Sequence, residues 1–157
     1  MASALLVCGS RSLARDTDRP AWVADTLRAV LSPRPDLLVH GGARGPDEMA
    51  DAEAARVQVP DILTFYPNGT LRQRCVDELP LVATYYFNEW HDGDPGPLAR
   101  NRAMVMHVTG LVGKGWTVRV VGLVDATSAT RGTDHTLRLA RAAGLTVERL
   151  VWEGRAR

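Results

Sequence analysis

The sequence predicts an α/β domain in which a mainly parallel sheet carries helices on both faces. Short continuous apolar runs, such as residues 4–8 and 118–124, are typical of strands that are buried on both sides. Segments with apolar residues at helical spacing separate these runs. Strands that alternate with helices in this way form βαβ units, in which consecutive strands lie parallel in one sheet.

The length of 157 residues suits a single domain, which we expect to span residues 1–157 with an irregular segment at about 68–98. Hydrophobic residues make up 45% of the chain and charged residues 24%, and both values argue against disorder. The formal net charge of +1 gives no general electrostatic reason to expect a long duplex nucleic acid as a partner.

The sequence predicts neither a metal site nor a membrane segment. Cys8 and Cys75 form no Cys-x-x-Cys pair, and the four histidines show no zinc-ligand spacing. No stretch approaches the ~20 apolar residues of a membrane helix, and the first residues do not resemble a signal peptide. We therefore expect a soluble cytoplasmic protein with no membrane partner, no metal and no resident cofactor.

The first half of the chain is predicted to run strand, helix, strand, helix, strand. The first strand covers residues 4–8, and Pro20 suits the first turn of the helix that follows. The apolar side chains of that helix recur at helical spacing and are Val23, Leu27, Val30 and Leu31. Residues 37–39 are expected to form the second strand, Pro46 opens the second helix, and residues 61–66 form the third strand.

Beyond residue 68 the pattern is less regular. A short helix is expected around residues 71–79. The apolar and aromatic segment 79–90 is expected either in the core or at an interface between copies of the chain. Residues 91–97 are rich in glycine, proline and aspartate and read as a loop.

The last third of the chain returns to a regular alternation. A helix that has Arg100 near its start precedes a strand at residues 118–124. A helix at 133–143 follows, ended by Gly144, and the chain closes with a strand at 146–151.

Three of the predicted strands end in turns rich in glycine and small residues. Gly9, Ser10 and Arg11 follow the first strand, residues 40–47 follow the second, and residues 130–133 follow the strand at 118–124. The carboxyl ends of parallel strands meet at one edge of a sheet, and the helix starts there favour anions. The sequence therefore predicts a phosphate or nucleotide site at this edge.

The loop Gly41-Gly42-Ala43-Arg44-Gly45 has two interpretations. Its glycines allow backbone N–H groups to approach an anion, but they also suit a tight turn that binds nothing. The loop matches neither the dinucleotide pattern G-x-G-x-x-G nor a Walker loop. Asp47 competes with an anion for the positive end of the next helix, so its carboxylate suits a ribose hydroxyl or the N–H groups of the loop.

Other polar side chains extend this candidate site. Arg11 and Arg100 suit bidentate phosphate contacts, although each also fits a solvated surface. Asn101 offers an amide to a ligand. Thr133 either faces a ligand or caps its own helix. His135, a lone histidine on a helix, is either structural or catalytic.

These motifs resemble the YspA-type, cpYpsA-related branch of the SLOG superfamily, which also includes the DNA-processing protein DprA/Smf and the Lonely-guy hydrolases. The resemblance covers almost the whole chain. It is carried by Val7-Cys8-Gly9-Ser10-Arg11, by residues 39–47 with Ala50 and Ala54, by Arg100-Asn101-Arg102-Ala103-Met104, and by Thr130-Arg131-Gly132-Thr133 with Thr136. It implies a Rossmann-like fold and a nucleotide-derived ligand, such as a nucleoside phosphate or an ADP-ribose-like molecule, above the strand ends.

One residue separates this chain from the hydrolytic members of the group. Lonely-guy enzymes hydrolyse the N-glycosidic bond of nucleoside monophosphates, and their motif runs Pro-Gly-Gly-x-Gly-Thr-x-x-Glu. Gly132 and Thr133 are similar to its Gly-Thr, and Arg100 is similar to the arginine of an upstream helix, but Thr136 replaces the glutamate. Because threonine neither activates water well nor stabilises an oxocarbenium ion, the resemblance does not carry the hydrolase activity over.

We expect the ligand to be held without turnover, by a sensor or a sequestering protein. The expected ligand-binding residues are Gly9, Ser10, Arg11, Gly41, Gly42, Ala43, Arg44, Gly45, Asp47, Arg100, Asn101, Met104, Thr130, Gly132 and Thr133. The alternative is a nucleotide-processing enzyme, such as an N-glycosidic phosphoribohydrolase-like hydrolase, with Asp47, Asp125 or His135 as its acid or base. DprA-like nucleic-acid binding is least favoured, because the charge is near neutral and no basic and aromatic stripe occurs. A homo-oligomer is compatible with the sequence.

Overall fold

The computed structural model describes residues 1–75, 81–84 and 96–154. Its strands are β1 (Ser3–Gly9), β2 (Leu37–His40), β3 (Asp61–Phe65), β4 (Thr70–Cys75), β5 (Leu81–Thr84), β6 (Thr117–Asp125) and β7 (Thr146–Trp152). Its helices are α1 (Asp18–Val30), α2 (Pro46–Arg56), α3 (Pro97–Val112) and α4 (Arg131–Ala142), and a short 3-10 helix (Arg11–Ala14) follows β1. None of these helices is long and apolar enough to cross a bilayer.

The strands form one seven-stranded sheet in the order β5-β4-β3-β2-β1-β6-β7. The five strands β3, β2, β1, β6 and β7 are parallel to one another. At one edge of the sheet, β4 pairs antiparallel with β3, and β5 pairs antiparallel with β4. The chain builds outward from β1 in one direction through β2 and β3, and in the other through β6 and β7. This reversal beside β1 opens a crevice at the strand ends, which is where open α/β sheets bind ligands.

Side chains of β1 alternate between two apolar layers. Leu5 and Val7 pack with the apolar side chains of α1 and α2, whereas Leu6 and Cys8 pack with those of α3 and α4. All four side chains are buried. The predicted fold class is therefore confirmed: an α/β domain with a mainly parallel sheet and helices on both faces.

The helix predicted around residues 71–79 is wrong, because Thr70–Cys75 forms strand β4. Gly69 has a φ of +91°, and the turn that contains it joins β3 to β4 as a hairpin in which Phe65 pairs with Leu71. The alternating apolar and polar residues of this short run fit a strand as well as one turn of a helix. Pairing with β3 therefore determines that the run forms a strand. In the segment 79–90, residues 81–84 form β5. Residues 76–80 and 85–95, which include the end of the predicted helix, the aromatic run and most of the predicted loop 91–97, lie outside the described residues.

Candidate functional site

A pocket of about 360 Å³ lies at the end of β1. The first turns of α2, α3 and α4 contribute to its lining, and so does the 3-10 helix. Each helix start carries a partial positive charge and N–H groups without a partner in the helix. Cys8 and Met104 are buried apolar residues of the lining, and burial raises the pKa of the Cys8 thiol.

Most of the residues predicted for the site line this pocket. They are Gly9, Ser10, Arg11, Ala43, Asp47, Arg100, Asn101, Met104, Thr130, Gly132 and Thr133. Gly41, Gly42, Arg44 and Gly45 belong to the predicted loop but lie outside the pocket lining. The three predicted turns thus contribute residues to one pocket.

Some lining residues escaped the sequence analysis. They are Cys8, Ser12, Arg15, Pro97, Leu98, Ser128, Ala129 and Thr136, of which Cys8 and Thr136 had been considered only in other roles. Ser12 and Arg15 are three positions apart, a spacing that aligns side chains in a 3-10 helix. Pro97 and Leu98 precede Arg100 in the first turn of α3. Extending each predicted turn by one helical turn would have found these four residues.

The N–H groups of the loop that follows β2 are occupied within the protein. The Oδ2 atom of Asp47 accepts hydrogen bonds from the N–H groups of Gly41 at 3.0 Å and Ala43 at 3.3 Å. The N–H group of Gly42 donates to Nδ1 of His40 at 3.0 Å. Of the two roles considered for Asp47, the structure has its carboxylate on the loop. These three N–H groups are therefore not available to a phosphate.

Among the described residues of the pocket lining, Asp47 is the one acidic residue, and its side chain is buried. Burial raises the pKa of this carboxyl, although His40, Arg100 and the two loop N–H groups oppose the rise. Its second oxygen, Oδ1, accepts no hydrogen bond within the described part of the chain. Asp47 thus retains one acceptor atom for a ligand.

Arg100 is the main cation of the pocket and is 7% exposed. Its Nε donates to Oδ1 of Asn101 at 2.9 Å, and its Nη1 donates to the carbonyl of Gly41. Its Nη2 has no partner, and none of its contacts among the described residues is an ion pair. Burial lowers the pKa of Arg100 and Asp47 opposes this, yet a guanidinium stays charged in proteins. Asp47 offsets only part of the cost of burying this charge, because it forms no ion pair with Arg100, so the site favours an anion.

Asn101 positions Arg100 and links α3 to α4. Its Oδ1 accepts from Arg100, while its Nδ2 lies 3.4 Å from the carbonyl of Gly132 and 3.4 Å from Nδ1 of His135. A Cβ on Gly41 would approach Nη1 of Arg100 to 2.6 Å, so only glycine leaves room for this arginine.

The start of α4 differs from its predicted start at Thr133. Thr130 is the N-cap residue, and its hydroxyl donates to Oδ2 of Asp134 at 2.6 Å. The capping role considered for Thr133 is therefore wrong. The buried hydroxyl of Thr133 has no hydrogen-bond partner among the described residues, and the N–H groups of Arg131, Gly132 and Thr133 have no acceptor there either. This turn can therefore donate backbone N–H groups to an anion, whereas the N–H groups of the loop after β2 are already hydrogen-bonded within the protein.

The two other acid or base candidates lie outside the pocket lining. Asp125 is fully buried and accepts hydrogen bonds from Ser12, Arg19 and Thr127. Burial alone would raise the pKa of Asp125, but these bonds outweigh it and lower the pKa to about 2. Burial and nearby arginines lower the pKa of His135. Asp125 therefore ties the 3-10 helix to β6 rather than exchanging protons.

His40 is a structural part of the site that sequence reasoning missed. Its Nδ1 accepts from Gly42, while its Nε2 lies 2.7 Å from Oδ2 of Asp51 and 3.1 Å from the hydroxyl of Thr64. Because Nδ1 is an acceptor, Nε2 carries the proton. Arg74 also bonds Asp51, and these hydrogen bonds lower the pKa of Asp51 to about 2 against the effect of burial. The sequence contains one indication of these contacts. Asp47 and Asp51 are four positions apart, so their side chains lie on the same face of α2.

No group of three or more histidine, cysteine, aspartate or glutamate side chains that could hold a metal occurs in residues 1–75 or 96–154. Comparisons of the chain with protein families, with curated proteins and with solved structures find no match.

Proposed function

We propose that the protein binds a nucleotide or a nucleotide-derived small molecule, such as a nucleoside phosphate or an ADP-ribose-like molecule, and acts as a sensor or sequestering protein. One observation carries this proposal. The guanidinium of Arg100 is buried at the pocket, its Nη2 has no hydrogen-bond partner among the described residues, and Asp47 attracts its charge without forming an ion pair with it. An anionic group of a ligand would supply the missing partner.

The charge of the pocket lining supports an anionic ligand. Within the described part of the lining, Arg11, Arg15 and Arg100 contribute three guanidinium groups, and Asp47 contributes the one carboxylate. Helix starts add positive potential in the same place. A volume of about 360 Å³ also lies within the usual range of small-molecule sites, roughly 300 to 1,000 Å³.

The phosphate is best assigned to the start of α4. Donors without a partner among the described residues are available there for phosphate oxygens. They are the N–H groups of this turn, the hydroxyl of Thr133 and Nη2 of Arg100. Oδ1 of Asp47 is an acceptor and suits a sugar hydroxyl on the same ligand. The pocket thus combines donors for a phosphate with an acceptor for a neutral polar group.

Native mass spectrometry of freshly purified protein, followed by incubation with a nucleotide panel, tests the proposal. The panel contains nucleoside mono-, di- and triphosphates, cyclic nucleotides and ADP-ribose. We expect at least one intact compound to bind with one molecule per pocket. Protein that is free of ligand and binds no member of the panel would count against the proposal.

Asp47 favours nucleotide hydrolysis as a second candidate function. It combines a raised pKa with a free oxygen at the pocket, and both properties suit a general base. Thr136 is also part of the lining, but its hydroxyl donates to the carbonyl of Gly132. Chromatography of the same incubations separates the candidates: intact ligand supports sensing, whereas free base or phosphate that disappears in Asp47→Asn supports catalysis.

A further inference from the structure

The outer face of α3 and α4 carries a second cavity that the nucleotide pocket does not use. This groove has a volume of about 460 Å³. It is lined mainly by Arg102, Met106 and Thr109 of α3 and by Leu139, Ala142 and Ala143 of α4. It shares no lining residue with the pocket at the end of β1.

The large apolar side chains that are exposed lie on α3, the helix that forms one wall of this groove. Among the described residues, Leu98, Met106 and Val112 are the large apolar side chains that are exposed, apart from the first methionine. All three belong to α3, and each is 47 to 48% exposed. Met106 lines the groove, whereas Leu98 lines the pocket at the end of β1 and Val112 lies at the end of the helix. Single exposed apolar residues are common on protein surfaces, but one that lines a concave, largely apolar groove is a feature of interaction sites.

Most of the charged residues on the two helices of the groove are arginines. Helix α3 contains no acidic residue, and the one acidic residue of α4, Asp134, is paired with Arg149 at 2.9 Å. Arg102, Arg138 and Arg141 are exposed and make no ion pair with any described residue. Among the described residues, the groove therefore presents a largely apolar floor with the guanidinium of Arg102 in its lining and that of Arg138 one helical turn before Ala142.

From this combination we infer that the groove binds an acidic amphipathic helix of another protein. The small side chains of Ala142 and Ala143 leave room for a large apolar side chain of the partner, and Met106 adapts to its shape. Acidic residues flanking that apolar face would pair with the arginines beside the groove.

A second copy of the chain is a poorer occupant. A symmetric contact through this face would bring arginines of the two copies together. The opposite face of the sheet offers few free carboxylates, because Asp25, Asp51 and Glu53 are already paired with arginines of the same chain. A flat anionic membrane is also a poorer fit, because it would leave the concave groove unfilled.

A labelled synthetic peptide of about 18 residues, with leucines on one helical face and glutamates elsewhere, tests the inference by fluorescence anisotropy with the full chain. We expect it to bind about tenfold more tightly than a scrambled peptide of the same composition. Met106→Glu and Arg138→Glu should each weaken binding by about tenfold. Ala52→Glu, which adds the same charge at an exposed position of α2 on the other face, is the matched control and should change it by less than about twofold.

Equal binding of the two peptides, or equal effects of Met106→Glu and Ala52→Glu, would overturn the inference. Binding to phosphatidylglycerol vesicles without binding to the peptide would also overturn it, in favour of a membrane surface. Because Met106 and Arg138 do not line the nucleotide pocket, nucleotide binding by these variants reports separately on the proposed function.

Discussion

At the scale of single residues, Arg100 combines burial with an unpartnered Nη2 group at the pocket. We expect Arg100→Met to weaken nucleotide binding by about 30-fold or more, which corresponds to about 2 kcal/mol. The stability of the free protein should fall less, because the variant loses the bonds to Gly41 and Asn101 but also removes a buried charge that forms no ion pair. Titration calorimetry measures the affinity and thermal unfolding the stability.

Arg102→Met is the matched control for this variant, since Arg102 is an exposed arginine of the same helix outside the pocket. Its nucleotide affinity should equal that of the wild type. Equal affinities of the Arg100→Met variant and the wild type would remove the main support for the proposed site.

His40 offers a second test, because its two ring nitrogens have different partners. Asn has an acceptor close to the position of Nδ1, whereas Gln has its polar group closer to that of Nε2. We expect His40→Asn to keep the hydrogen bond from Gly42 and the loop conformation, and His40→Gln to lose both. Amide hydrogen exchange of Gly42 by NMR is the measurement, and faster exchange only in His40→Asn would contradict the assignment.

Asp47 and Asp125 should affect stability with opposite signs as pH changes. Burial raises the pKa of Asp47 above the ordinary value of 3.8, so its ionisation costs stability as pH rises through the folded-state pKa. Asp47→Asn should therefore gain stability relative to the wild type as pH increases towards 7. Thermal unfolding of both proteins from about pH 4, close to the ordinary carboxyl pKa, up to about pH 8 measures this difference in stability. A constant difference across the range would contradict it.

Asp125 has a pKa of about 2, below the ordinary value of 3.8. Its interactions stabilise the folded protein above pH 3.8, and this contribution is lost as the pH falls towards 2. Asp125→Asn should therefore be destabilised at neutral pH, and the difference from the wild type should shrink on acidification. Urea unfolding at a series of pH values measures this, with Asp25→Asn, an exposed carboxylate on α1, as control.

At the scale of elements, the turns after the strands are the most demanding parts of the fold. Gly42 has a φ of +65°, and a Cβ there would approach the ring of Tyr66 to 2.8 Å. Gly132, in the first turn of α4, has open space around its Cβ position and an ordinary φ. The same substitution should therefore have opposite consequences at these two glycines.

We expect Gly42→Ala to destabilise the protein by about 1 kcal/mol or more, because it forces alanine into a left-handed conformation and a close contact. Gly132→Ala should be neutral or stabilising by up to about 1 kcal/mol, since alanine favours the helix. Denaturant unfolding of both variants tests the contrast. Equal effects would mean that the turn after β2 tolerates a side chain.

At the scale of the whole molecule, the sheet order brings the three turns to one crevice beside β1. A ligand that binds only the folded domain stabilises all of it, by about 2.7 kcal/mol at a concentration 100 times its Kd. We therefore expect a bound nucleotide to raise the thermal unfolding midpoint, and to do so less in Arg100→Met at the same concentration. A shift of equal size in both proteins would place the binding elsewhere.

The sequence alone determined the alternation of strands and helices and the edge of the sheet that carries the glycine-rich turns. Both follow from local chemistry: apolar runs such as residues 4–8 need burial on two faces, and glycine and proline end strands or open helices wherever they occur. The hairpin of β4 was missed, since a short alternating run has no decisive local preference and pairs with β3 only in the folded sheet.

Only the tertiary structure decided which polar groups of the site are free. Arg100 meets the carbonyl of Gly41 across 59 positions of the chain, and His40 meets Thr64 across 24. Such contacts use up the N–H and carbonyl groups of one turn and leave those at the start of α4 available. Hydrogen bonding is pairwise and saturable, so which donor remains for a ligand depends on partners that a local pattern does not contain.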